Sequence, residues 1–90
     1  MTFKIERLVA KENATVFRVC GRVQIDCVNT IKELIEAENT GIVLDLLEVT
    51  LADGDAATFF AFCEFNGTQL KNCPAFLRGW VDQEKARIAQ

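Results

Sequence analysis

Residues 42–80 read IVLDLLEVTLADGDAATFFAFCEFNGTQLKNCPAFLRGW, and their pattern decides the fold. Ile42 to Leu47 is an almost unbroken apolar run, as expected of a strand with neighbours on both sides, interrupted only by Asp45. An acidic turn follows, Ala52-Asp53-Gly54-Asp55, and then an aromatic-rich segment of helical character over 56–66, closed by Gly67. Residues 68–71 suit a short strand. Pro74 then opens another helix, in whose first turn its missing N–H costs nothing. The acidic turn falls beyond the carboxyl end of a strand, where open α/β sheets place their working surface. Yet it holds no nucleophile, no histidine and no metal-ligating cluster. This combination points to binding rather than to bond making.

Upstream, residues 3–9 begin with Phe3 and Ile5 alternating against Lys4 and Glu6, the period of a half-buried strand. Residues 14–20 alternate again, and the polar Lys11-Glu12-Asn13 between them makes an antiparallel hairpin, with Gly21 ending the second strand. The period changes over 28–38. Val28, Ile31, Leu34 and Ile35 share one helical face, with Lys32, Glu33 and Glu36 opposite. Gly41 is a candidate for the left-handed residue that closes this helix. In the last helix Leu77, Trp80, Val81 and Ile88 mark a buried stripe, and 82–90 is a solvated, charged end.

The element order is therefore ββαβαβα. Strands two, three and four are joined through helices, which implies parallel neighbours, right-handed crossovers and both crossover helices on one face of a four-stranded mixed sheet. Ninety residues make one α/β domain, spanning 1–90. The chain is half hydrophobic with one proline, so it is not disordered. Net charge is −3 with scattered basic residues, which leaves nucleic acid without an electrostatic footprint. Nothing approaches the roughly 20 apolar residues of a membrane span. The start, MTFKIERLVA, has no signal-peptide pattern. The four cysteines, Cys20, Cys27, Cys63 and Cys73, form no CxxC pair and have no histidine to complete a zinc site, so they read as reduced, mostly buried thiols of a cytoplasmic protein. No cofactor or metal motif appears.

Three features of the central stretch carry functional readings. Asp53 and Asp55 either cap the second helix and oppose its dipole or form part of a recognition surface. Ala56, Phe59, Phe60 and Cys63 follow the i, i+3, i+4, i+7 core pattern, whereas Phe62 and Phe65 fall off it. These two phenylalanines either sit half covered at the flanks or form an exposed aromatic patch beside the acidic turn, suited to a protein partner. Asp45 is expected at the strand mouth or paired with Arg18 or Arg22, since a lone buried carboxylate is costly.

Three segments, VFRVCGRV at 16–23, IVLDLLEVTLAD at 42–53, and the helix–strand–helix that follows, resemble the STAS domain, the fold of bacterial anti-anti-sigma factors (anti-sigma factor antagonists). The resemblance implies a non-catalytic module of transcription regulation that binds a kinase-like partner of ATPase fold, itself a sequesterer of a sigma factor. It also implies a switch in a pattern like Asp-Ser-Ser-Gly, in which the second serine is phosphorylated. Asp53 matches the Asp, Gly54 the first serine, Asp55 the phosphorylated serine and Ala56 the glycine. This chain contains no serine at all, and its nearest hydroxyl is Thr58. The switch is therefore lost or relocated. One carboxylate at Asp55 is only a partial copy of a phosphate carrying about −1.5 to −2 charges.

The partner-binding residues expected from these readings are Asp53, Gly54, Asp55, Thr58, Phe62 and Phe65. A homodimer or other scaffold using the same helix is the alternative. An enzyme or small-ligand carrier is the weakest reading, because histidine, tyrosine and serine are all missing.

Overall fold

The computed structural model describes residues 3–9 and 13–89. Its elements run β1 (Phe3–Val9), β2 (Ala14–Val23), α1 (Ile25–Glu36), β3 (Gly41–Ala52), α2 (Gly54–Phe65), β4 (Gln69–Lys71) and α3 (Ala75–Ile88). The sheet order is β1-β2-β3-β4, with β1 antiparallel to β2 and the other neighbours parallel. The expected α/β architecture is thus the one observed. Of the expected hairpin turn, Lys11 and Glu12 lie outside the described residues.

Both parallel connections advance the same way across the sheet, so right-handed crossovers put α1 and α2 on one face. The helix α2 is the middle one, touching both α1 and α3 as well as β3 and β4. On that face Phe17, Val19, Leu44 and Leu46 of the strands meet Ile31, Phe60, Leu77 and Val81 of the helices, all at most 1% exposed. Each such side chain stabilises the fold by about 1.5–3 kcal/mol relative to exposure. The opposite face presents Lys4, Arg18 and Lys71 to solvent.

Several boundaries differ from the sequence expectation. Gly21 does not end β2. It sits inside it at φ 89°, and register shifts at Arg18/Cys20 and Gly21/Arg22 carry the strand on to Val23. Only glycine takes that backbone cheaply, and the irregularity breaks the two-residue alternation that marks a strand. β3 likewise runs past the expected Leu47, through Glu48 to Ala52. The helix α1 starts at Ile25, three residues early. Ile25 is 49% exposed and so contributes no apolar period. Gly41 takes no left-handed conformation. It opens β3, its N–H donating to Asn13 O at 3.1 Å.

Asp45 pairs with neither Arg18 nor Arg22 among the described residues. It is buried, and its Oδ1 accepts from Leu47 N at 3.1 Å and from Asn72 Nδ2 at 3.2 Å. Two donors meet the requirement of a buried carboxylate, and one of them is local to β3. Trp80 is not core either. It is 39% exposed, while Leu77 and Val81 carry the stripe. The four cysteines are free thiols but half-buried rather than fully buried. Burial pushes the Cys63 thiol up to about 12, so it is inert as a thiolate at neutral pH. No helix among the described residues is long and apolar enough to cross a membrane.

Candidate functional site

The end of β3 positions the site. Ala52 is buried and anchors the strand, and Asp53 N–H donates to Val23 O at 3.3 Å, fixing the turn against the end of β2. Asp53 adopts extended backbone, φ −96° and ψ −177°, and its Oδ1 accepts from Ala56 N at 2.9 Å. It is the N-cap of α2, satisfying one of the orphan donors of the first turn. Asp55 lies exposed in that turn, where its charge opposes the helix dipole favourably. Of the two carboxylates, then, one caps and the other faces solvent.

Thr58 is one turn further on. Its hydroxyl donates to Gly54 O at 3.0 Å or to Glu84 Oε1 of α3 at 3.2 Å. It therefore ties the N-terminal turn of α2 to α3 instead of projecting freely. Gly54 is packed loosely beside α3: a Cβ placed there would lie 3.6 Å from Trp80 Cζ2, an ordinary contact.

Phe62 and Phe65 are 48% and 52% exposed, in contrast to Phe60 at 0%. The helix α2 carries large apolar side chains on both its packed and its exposed sides. Ala56, Ala57, Phe60 and Ala61 are buried, and the side turned away from the sheet still carries two phenylalanines. At 100° per residue, positions 55, 58, 62 and 65 fall on one outward stripe. Asp55, Thr58, Phe62 and Phe65 thus make a continuous surface running from the acidic turn to the end of the helix. Asp53 and Gly54 stand at its head. Along one flank a groove of about 350 Å³ between α1 and α2 is lined by Ile35, Phe59, Phe62 and Cys63, with Lys32 and Glu36 at its rim.

A charged cluster holds α2 to α3. Glu64 accepts from Arg78, and Lys85 Nζ adds a contact at 3.0 Å. Arg78 also reaches Asp82 Oδ1, at 3.2 Å from Nε. The Arg78 hydrogen bonds hold the Glu64 carboxyl below its ordinary range, and Lys85 adds to this.

Two members of this region escaped the sequence reading. Trp80 shares helical spacing with Leu77 and Val81, so periodicity assigns it to the core, although it lies over Gly54 at the edge of the acidic turn. Glu84 gives no signal among the charges of the last helix. Its contact with Thr58 depends on how α2 and α3 pack.

No protein-family model matches this sequence, and no curated protein is found to be similar to it. Among solved structures the chain is similar to the anti-sigma factor antagonist SpoIIAA in its unphosphorylated form, with a TM-score of 0.66 over 96% of each chain at 14% sequence identity. At that identity the likeness establishes architecture. The chain has a STAS-like fold, the one its strand, acidic turn and helix order resemble.

Proposed function

We propose that this chain is a non-catalytic, protein-binding regulatory module of the anti-sigma factor antagonist kind. Its partner is an anti-sigma factor or kinase-like regulator, in a bacterial cytoplasm, and its outcome is control of transcription. The observation that carries the reading is the outward stripe of α2. Asp55, Phe62 and Phe65 are exposed along one side of a helix whose other sides are packed, with Thr58 half-buried among them. Exposed aromatic side chains beside a charged rim are the composition of a protein interface. The head of this stripe, at the acidic turn, lies beyond the end of a parallel strand in a STAS-like fold, which supports the same reading.

Regulation differs from a serine switch. Asp55 stands at the position matched to the phosphorylated serine and supplies a permanent negative charge. Thr58 is a poor substitute switch, because a phosphate on its Oγ1 would be placed against the Glu84 carboxylate. The module is thus held in one state by sequence, and its activity follows its abundance.

Capture from lysate of the source cell tests this, comparing the wild type with Phe62→Glu after both are confirmed folded. Recovery of an ATPase-fold kinase or sigma-regulating protein by the wild type alone supports the proposal. Recovery of no regulator contradicts it, and recovery of the chain itself by the wild type but not by Phe62→Glu favours self-pairing through α2.

A further inference from the structure

The sheet face opposite the helices is uncovered by any described element, and its side chains form ordered rows. Strand register aligns Leu8, Val16, Val43 and Gln69 across β1 to β4. The next row is Glu6, Arg18, Asp45 and Lys71, whose charges alternate in sign across the sheet. Leu47, at 63% exposure, projects from the interior strand β3 into a depression lined also by Lys4, Glu6 and Arg18. An apolar side chain that exposed, on an interior strand, leaves the face incomplete.

The charged row is only partly matched within one chain. Glu6 and Arg18 approach at 3.8 Å, but among the described residues Arg18 makes no ion pair with Asp45, and Lys71 makes none at all.

We propose that this face pairs with the same face of a second copy, about a two-fold axis parallel to the strands and over the β2–β3 gap. That rotation reverses the order of each row. Glu6 then faces Lys71 of the second copy, and Arg18 lies over the strand that carries Asp45 of the second copy, whose buried carboxylate already accepts from Leu47 N and Asn72 Nδ2. In the neighbouring row Val16 meets Val43 of the second copy. A two-fold axis perpendicular to the strands would set every charge over its own kind, so the charge pattern selects the first arrangement.

The face suits a sheet-on-sheet contact. Strands of 7, 10, 12 and 3 residues, at about 3.3 Å per residue and about 4.8 Å apart, offer on the order of 500 Å² per copy. Two such faces bury about 1,000 Å², below the standard range for a stable interface, so the dimer is weak and reversible. The surface lies on the opposite side of the sheet from α2, and this inference does not depend on the regulatory reading above.

Sedimentation equilibrium over a wide concentration range tests it, with circular dichroism to confirm that each variant is folded. The wild type is expected to dimerise reversibly. Glu6→Lys and Lys71→Glu should each weaken the dimer about tenfold or more, because like charges then face each other twice. The double variant Glu6→Lys/Lys71→Glu should recover most of the lost affinity. A wild type that stays monomeric throughout overturns the proposal. So does a dimer that the single changes do not weaken, or that the double change does not recover. A dimer lost in Phe62→Glu and indifferent to the charge exchanges would mean pairing through α2, and overturns it equally.

Discussion

Thr58 Oγ1 lies 3.2 Å from Glu84 Oε1, which ties the first turns of α2 to the middle of α3. The contact turns the hydroxyl nearest the acidic turn into a structural group, and it has measurable consequences.

Thr58→Glu should destabilise the fold more than Thr58→Ala, because it places a second carboxylate beside Glu84. Thr58→Ala removes one modest hydrogen bond, worth about 0.5–1.5 kcal/mol. In a Glu84→Gln background the extra penalty of Thr58→Glu should shrink. Urea denaturation of the four variants reads this directly, and equal penalties in both backgrounds would refute the role given to Glu84.

Asp53→Ala should cost about 1 kcal/mol by removing the N-cap of α2, a fall in Tm of roughly 4–8 °C for a domain of this size. Asp53→Ser, which keeps a cap acceptor, should retain most of the stability. Asp55→Ala, which caps nothing, should change Tm far less. Thermal melts of the three variants separate capping from mere negative charge.

Phe60→Ala should cost about 3–5 kcal/mol, since its side chain is fully buried. Phe62→Ala, two residues on and about half exposed, should cost much less. Chemical denaturation measures both, and comparable losses would place Phe62 in the core.

Acid should loosen the α2–α3 contact. Arg78 holds the Glu64 carboxyl below its ordinary range, so folded Glu64 binds its proton less tightly than unfolded Glu64. The resulting stabilisation is complete above the unfolded value of about 4.3 and fades as pH falls through the lower folded value. The Glu38 carboxyl, lowered chiefly by its hydrogen bond from Arg7, acts in the same direction. Glu64→Gln should therefore lower stability at neutral pH and flatten its dependence on pH in the acid range. A pH series of denaturant midpoints checks the slope.

The alternation of 3–9, the apolar run from Ile42 and the switch to helical period at Val28 sufficed for element order and sheet topology. These are short-range patterns, and the core face follows from them. What could not be read depends on geometry across elements. The bulges around Arg18 and Gly21 carry β2 past the glycine that sequence suggests as its end. The Asn72 partner of Asp45 comes from beyond β4, 27 residues away. Trp80 obeys core periodicity, yet its place beside Gly54 depends on the α2–α3 packing. At the candidate site, the exposure of Phe62 and Phe65 was one of two open readings, because a helix with phenylalanines on several sides does not reveal which side its neighbours leave bare.

The proposal that the bare stripe of α2 binds a partner is tested most directly by the melting temperature and partner capture of Phe62→Glu against wild type. The expected result is a Tm within a few degrees of wild type and loss of the captured regulator. An unfolded variant, or a folded one that captures the same regulator equally well, would contradict it.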